Sequence, residues 1–148
     1  MDINELVNKV PSNYGKCILD KCPVADRCLR HLLFIHRPLS AKCLVIVNPD
    51  VVSPEMGEAC PCFHSTEPVR LARGFQSALN SVPHGNIKLI QEELISDYSR
   101  SMFYYYRKGE RVLSPAAQLH ISEVLIRHGA KSPVEFDAYE YGYIWNED

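Results

Sequence analysis

Apolar positions along the chain come in short clusters separated by proline, glycine and polar breaks, and most of the clusters repeat at helical spacing. Asn4 to Val10 predicts a short helix that Pro11 ends. Ala25, Cys28, Leu29, Leu32, Leu33 and His36 predict a second helix. Pro23 suits its first turn, where the missing N–H has no intrahelical partner, and Pro38 lies just past its end. Lys42 to Val47 is rich in β-branched residues and closes on Asn48-Pro49-Asp50, so it predicts a strand. Thr66 is a suitable N-cap for a helix whose stripe is Val69, Ala72, Phe75, Leu79 and Val82. After the turn Pro83-His84-Gly85-Asn86, the residues Ile87, Ile90, Leu94, Ile95 and Tyr98 predict another helix. So short a link packs these two as an antiparallel hairpin.

Arg100 to Arg111 fits either a continued helix or a short strand ended by Gly109. Ser114-Pro115 opens the next helix and Gly129 stops it, with Ala117, Ile121, Val124, Leu125 and His128 on the buried stripe. Val134 to Trp145 mixes acids with aromatics and suits a docked extended segment. The pattern predicts a mainly α, helix-rich α+β fold with one or two short strands and a cysteine-rich N-terminal metal-binding loop. A single domain, 1–148, is expected, with a cysteine-rich half at 1–65 and a helical half at 66–148.

Composition narrows the setting. The 148 residues are 46% apolar with a net charge of −2, so no global field draws the chain to nucleic acid or membrane. The start MDINELVNKV has no basic region leading into an apolar run, and the longest apolar run, Cys43 to Val47, is far too short to span a bilayer. The expected location is the cytoplasm. In that reducing compartment clustered cysteines more often ligate metal than form disulfides.

Cys17, Cys22 and Cys28 form a Cys-x4-Cys-x5-Cys run, and Cys60-Pro61-Cys62 follows. Zinc sites usually draw on tight Cys-x2-Cys turns, which this chain lacks. The looser run suits a larger object, such as a four-iron, four-sulfur cluster held by four cysteines, some from one loop and another from elsewhere. The predicted ligands are Cys17, Cys22, Cys28 and Cys60, with Cys62 as alternate. A 4Fe–4S cluster comes first and zinc second, in a structural or redox role. Mixed sites remain open: Cys60, Cys62 and His64 would share a face of an extended strand, and Cys28 and His31 share a helix face at i, i+3. Cys43, in an apolar run, is expected to be a small buried hydrophobe.

Two resemblances follow from these residues. CPVADRC, from Cys22 to Cys28, resembles the end of the cluster loop in endonuclease-III-like DNA glycosylases. The match covers only that segment, and the upstream Cys-x6-Cys-x2-Cys portion is absent. With no helix-hairpin-helix pattern and no catalytic Lys–Asp arrangement, it implies a cluster geometry and not a glycosylase. Over most of its length the chain also resembles an uncharacterised family of small proteins from anaerobic gut bacteria. That resemblance is carried by CxxxxCPxADxCLR, ACPCF around Cys60, ARGF at Ala72 to Phe75, YYYRKGERVLSP, and FDxY at Phe136 to Tyr139. It brings no activity. It implies an anaerobic setting and favours Cys60 over Cys62 as fourth ligand.

No catalytic constellation stands out: the sequence has no Gly-rich phosphate cradle, no Walker-type lysine and no GxSxG elbow. A metal-binding protein is therefore expected before an enzyme. The alternative is a zinc-stapled nucleic-acid or protein interaction module using Tyr104 to Arg111, where bases flank aromatic rings. Four basic groups release few counterions, so duplex DNA is not an expected partner. The stretch is expected instead to pack the rings of Phe103 and Tyr105 against neighbouring helices while its cations stay in water.

Overall fold

A computed structural model describes residues 2–145. Its helices are α1 (Ile3–Lys9), α2 (Leu29–Ile35), α3 (Gln76–Asn80), α4 (Ile87–Asp97), α5 (Arg100–Lys108) and α6 (Pro115–Arg127). Short 3-10 turns lie at Ala25–Arg27, Pro54–Ala59 and His84–Asn86. The strands β1 (Val69–Arg73) and β2 (Ala138–Gly142) pair antiparallel, with Leu71 opposite Glu140. The fold is thus helix-rich α+β with one two-stranded sheet. No helix among the described residues is long and apolar enough to cross a membrane. The chain divides into two compact units, one running up to Glu67 and including Ile144 and Trp145, the other from Pro68 to Tyr143.

In the first unit the predicted helix after Pro23 is shorter than its spacing suggests. Ala25–Arg27 is a 3-10 turn, and Cys28 is extended before α2 begins. Tertiary pairing overrides the local pattern here. Cys28 bridges Ser65, the Leu29 N–H donates to the His64 carbonyl, and the Thr66 N–H donates to the Arg27 carbonyl. Leu29 and Leu33 are buried, as are Leu6, Tyr14, Val24 and Val52.

The strand expected at Lys42 to Val47 is not formed. Its backbone makes a single parallel bridge, Ile46 with Lys16, through Lys16 N–H to the Val45 carbonyl and Val47 N–H to the Lys16 carbonyl. With no sheet face to cover them, Leu44, Val45 and Ile46 stay exposed, and so does Cys43, which corrects its expected burial.

In the second unit the stripe Ala72, Phe75, Leu79 and Val82 is buried as expected, but not on one helix. Val69–Arg73 is strand, Gly74 turns the chain at φ 72°, and only Gln76–Asn80 is helical. The reason lies far along the chain. β2 supplies a strand partner, and the Asp137 carboxylate accepts from the Gln76 and Ser77 N–H groups, each at 3.0 Å, capping α3. A Cβ on Gly74 would stand 2.6 Å from that carboxylate, so only glycine fits. The predicted helical hairpin is therefore replaced by a strand and a short helix leading into α4.

α5 resolves the ambiguous stretch as helix. Ser99 caps it, its Oγ accepting from the Met102 N–H, and Gly109 in the left-handed conformation ends it. Phe103 is buried against Phe75, and Tyr104 and Tyr106 pack on the core. Tyr105 faces outward with the Arg111 guanidinium over its ring, contrary to the packing expected of it. The period of 3.6 residues explains this: 103 and 106 to 107 share a face, and 105 lies across from it. α6 buries Ile121, Val124 and Leu125, and β2 is the extended segment expected near the C-terminus.

Glu93 on α4 ties that helix to the end of α6. One carboxylate oxygen accepts from Arg127 and the other lies 2.9 Å from His128 Nε2. Hydrogen bonds from His128 and Arg127 hold the carboxyl below its ordinary value of 4.5. A depressed folded pKa means stability that is full above the unfolded pKa and lost as pH falls through the folded one. Glu93→Gln should therefore lower the melting temperature at pH 7, and the gap to the natural chain should close below about pH 4. A pH series of thermal melts measures this, and a gap constant down to pH 3 would count against it.

Candidate metal centre

The cysteine segments meet because α2 gathers them with backbone bonds. The Cys17 N–H donates to the Arg30 carbonyl at 3.1 Å, bringing in the loop that carries Cys17 and Cys22. On the other side of α2, residues 64–66 pair with Arg27 to Leu29 and bring in the Cys60–Cys62 turn. The Arg30 side chain spans both. Its Nε donates to the Cys62 carbonyl and one terminal NH2 donates to the Gly15 carbonyl, each at 2.8 Å. The guanidinium also lies 4.5 Å from the centre of the Tyr14 ring, which contacts His64 and Trp145.

Beside this clamp is a cavity with about 370 Å³ of empty space, mouth included. Cys17, Cys22, Cys28, Cys60, Cys62 and His31 line it, with Leu19, Val24, Ala25, Val52 and Phe63 among the other walls. Five of the six cysteines thus face one space, and Cys43, the sixth, is exposed elsewhere. Cys28 is buried and the other four are partly buried.

The Cys60 side is shaped by a kinked 3-10 turn. Ser53 caps it, its Oγ accepting from Glu55 N–H, and Gly57 reverses the chain at φ 54°, a conformation that disfavours any side chain although space is open there. The Cys60 N–H then donates to the Gly57 carbonyl and the Phe63 N–H to the Cys60 carbonyl. Cys60-Pro61-Cys62-Phe63 is therefore a turn and not the extended strand that would align Cys60, Cys62 and His64. His64 points instead to the Tyr14 hydroxyl.

Cys17 feels both burial and its neighbouring sulfurs. Burial pushes the Cys17 thiol above its ordinary value, a hydrogen bond from the Leu19 backbone opposes that, and Cys28, Cys22 and Cys60 push it up further. A thiolate at any one of these positions makes the next harder to form, and a bound cation reverses that sign. Among the described residues, no group of three or more His, Cys, Asp or Glu side chains is drawn close enough to hold a metal ion as it stands. A lone zinc ion, with Zn–S bonds of about 2.3 Å, needs its sulfurs within roughly 3.8 Å of each other. An iron–sulfur cluster spreads its thiolates over several iron atoms and needs a wider ring. Soft thiols around one space are the donor type that either centre uses.

Two residues carry more of the site than their sequence context suggests. Arg30 reads as an ordinary surface cation after a cysteine, and nothing in the linear pattern marks it as a clamp. His31, three residues after Cys28, has helical spacing as its only signal. It is 5% exposed and lines the cavity.

A family model described as a family of unknown function (DUF6078) matches residues 1–145. No curated protein and no solved structure matches the chain. The clamp makes a direct expectation. Arg30→Ala should destabilise the chain by about 1.5–3 kcal/mol, the worth of hydrogen bonds to a charged group, and Arg30→Lys should recover less than half, because an ammonium cannot fork to two carbonyls. Chemical denaturation of the full chain measures both. Unfolding midpoints equal to that of the natural chain would remove the clamp.

Proposed function

The chain belongs to the DUF6078 family of unknown function, and from that premise we propose that it is a metal-binding protein whose centre is held by Cys17, Cys22, Cys28 and Cys60, with Cys62 as substitute. The observation that carries this reading is the convergence of these five thiols on one cavity while Cys43 stands apart. A 4Fe–4S cluster is the first choice. Its support is the Cys-x4-Cys-x5-Cys spacing and the absence from the sequence of a Cys-x2-Cys turn. An anaerobic setting, implied by the resemblance to proteins of anaerobic gut bacteria, suits a centre of this kind. Zinc is the second choice.

When bound, such a group supplies either a structural cross-link or an electron-transfer centre. The first unit's own packing supports the structural role. Its buried apolar side chains are few and scattered around α2, and metal binding adds folding free energy where a loop has little core. The protein is read as cytoplasmic, as a binding protein before an enzyme, and without a membrane partner.

The interaction-module alternative draws on Tyr104 to Arg111, and α5 gives it less to work with. Tyr104 accepts a hydrogen bond from Gln91, Tyr106 packs edge-on against Tyr98, and the Arg107 Nε donates to Gln76. Tyr105, Lys108 and Arg111 remain outward, which is little for gripping a nucleic acid.

Elemental analysis of anaerobically purified protein should find iron or zinc near one site per chain, brown for a cluster and colourless for zinc. Neither metal near that ratio would sink the proposal. Where metal is present, Cys22→Ser should lower the melting temperature clearly, while Cys43→Ser, at an exposed position, should cost no more than about 0.5 kcal/mol. Equal losses from the two variants would mean that the cavity thiols are not special.

A further inference from the structure

We infer that His31 is a nitrogen donor to this same centre, binding metal through Nε2 beside the thiols, so that the site is mixed sulfur and nitrogen rather than sulfur alone. The inference rests on the metal-binding reading and deepens it by giving one of the four ligand positions to the His31 ring, with cavity thiols in the other three. Three observations on one side chain carry it.

First, His31 lines the same cavity as the five cysteines and is 5% exposed, so its ring is held in the site and largely out of water. Second, its Nδ1 lies 3.1 Å from the Cys17 carbonyl oxygen. A carbonyl only accepts, so the proton of the neutral ring sits on Nδ1 and the lone pair on Nε2. A backbone carbonyl on the far nitrogen is the usual partner of a metal-ligating histidine, because it fixes both tautomer and ring orientation. Third, Asp20 Oδ1 lies 3.8 Å from Nε2, outside hydrogen-bond reach. The Asp20 side chain is 82% exposed, so it does not hold the ring in place.

The placement of His31 on the chain fits the same reading. Cys28 caps α2 and His31 lies three residues on, so one short helix presents a sulfur and a nitrogen to one space. The Cys17 loop is bonded to Arg30 through its N–H and to His31 through its carbonyl, so the ring and the first thiol are fixed relative to each other. Coordination balances simply. The Nε2 lone pair forms the bond with no proton leaving the ring, whereas each thiol gives up its proton to solvent as it binds.

The test separates this inference from the reading beneath it. The full chain, purified anaerobically, is first assayed for iron and zinc. X-ray absorption at the edge of whichever metal is found then counts its neighbours. Sulfur stands at about 2.3 Å from zinc and imidazole nitrogen at about 2.0–2.1 Å. A nitrogen neighbour is expected in the natural chain and expected to vanish in His31→Asn. Asparagine can still donate to the Cys17 carbonyl through its amide, so this variant keeps the loop contact and removes only Nε2. His31→Gln, which reaches further but offers no ring nitrogen, serves as a second variant should the first fail to fold. An all-sulfur shell in the natural chain, or a nitrogen neighbour that persists in both folded variants, overturns the inference and leaves the four-thiolate reading standing. No metal at all overturns both.

Discussion

The first turn of α2 is the constraint on which the cysteine-bearing unit depends. Within a few residues it accepts from Cys17, donates to His64 and to the carbonyls of Gly15 and Cys62, and bridges Ser65. Two separate stretches of loop, Gly15 to Cys17 and Cys62 to Ser65, are thus tied to one helix of only seven residues. So short a helix is marginal alone in water, and Leu29 and Leu33 buried beneath it provide its anchoring. Arg30 is suited to this work because its planar fork satisfies two carbonyls at fixed angles while its face rests on Tyr14. The price is conformational: ordering loops this rich in turns loses entropy that a thin set of apolar contacts repays poorly.

The second unit solves a different problem with more conventional means. Phe75, Phe103, Leu79, Ile90, Leu94, Leu113, Ile121, Val124 and Leu125 are all almost fully buried in one cluster. The segments that looked most distinctive in the sequence meet at its edge. Arg73 donates to the Gly109 carbonyl and Phe75 N–H to the Arg107 carbonyl, while Asp137 N–H donates to the Gly74 carbonyl and its side chain caps α3. ARGF, the end of YYYRKG and FDxY are therefore pieces of one junction. Their polar groups are spent on each other, which marks the junction as architecture. The thiols of the first unit instead line one cavity, and that difference separates the two kinds of distinctive sequence in this chain.

Local chemistry was legible and long-range chemistry was not. The helix stop at Gly129 and the start at Ser114-Pro115 could be read directly, because each depends on a few neighbouring residues, whereas Gly109 marked a break without saying whether helix or strand ended there. The stripe from Ala72 to Val82 was correctly apolar yet wrongly helical. Its backbone is decided by β2 and by the Asp137 carboxylate, both some sixty residues away, and a periodicity count carries no trace of either. Cys43 failed for a related reason. An apolar run says what would gain from burial, not whether a sheet exists to bury it, and here only a single bridge to Lys16 forms. The grouping of Cys17, Cys22 and Cys28 with Cys60 was visible as clustering, but the clamp was not, since Arg30 differs from any surface arginine only in what surrounds it.

What remains is the energetic meaning of a thiol ring that the scaffold assembles but does not draw tight. At Cys17, burial and the neighbouring Cys28, Cys22 and Cys60 raise the cost of ionising the thiol. Nothing in such an arrangement favours the protein while the thiols are neutral, because a partly buried thiol returns little more than its apolar area. Crowding five of them around one cavity lowers flexibility without an evident gain in packing. On the proposed metal-binding reading, a multiply charged cation or cluster would turn that repulsion into shared attraction and cross-link the thiol-bearing loops. On the same reading, a scaffold that holds thiols near one another and leaves the last approach to the ion would tie folding of these loops to metal supply.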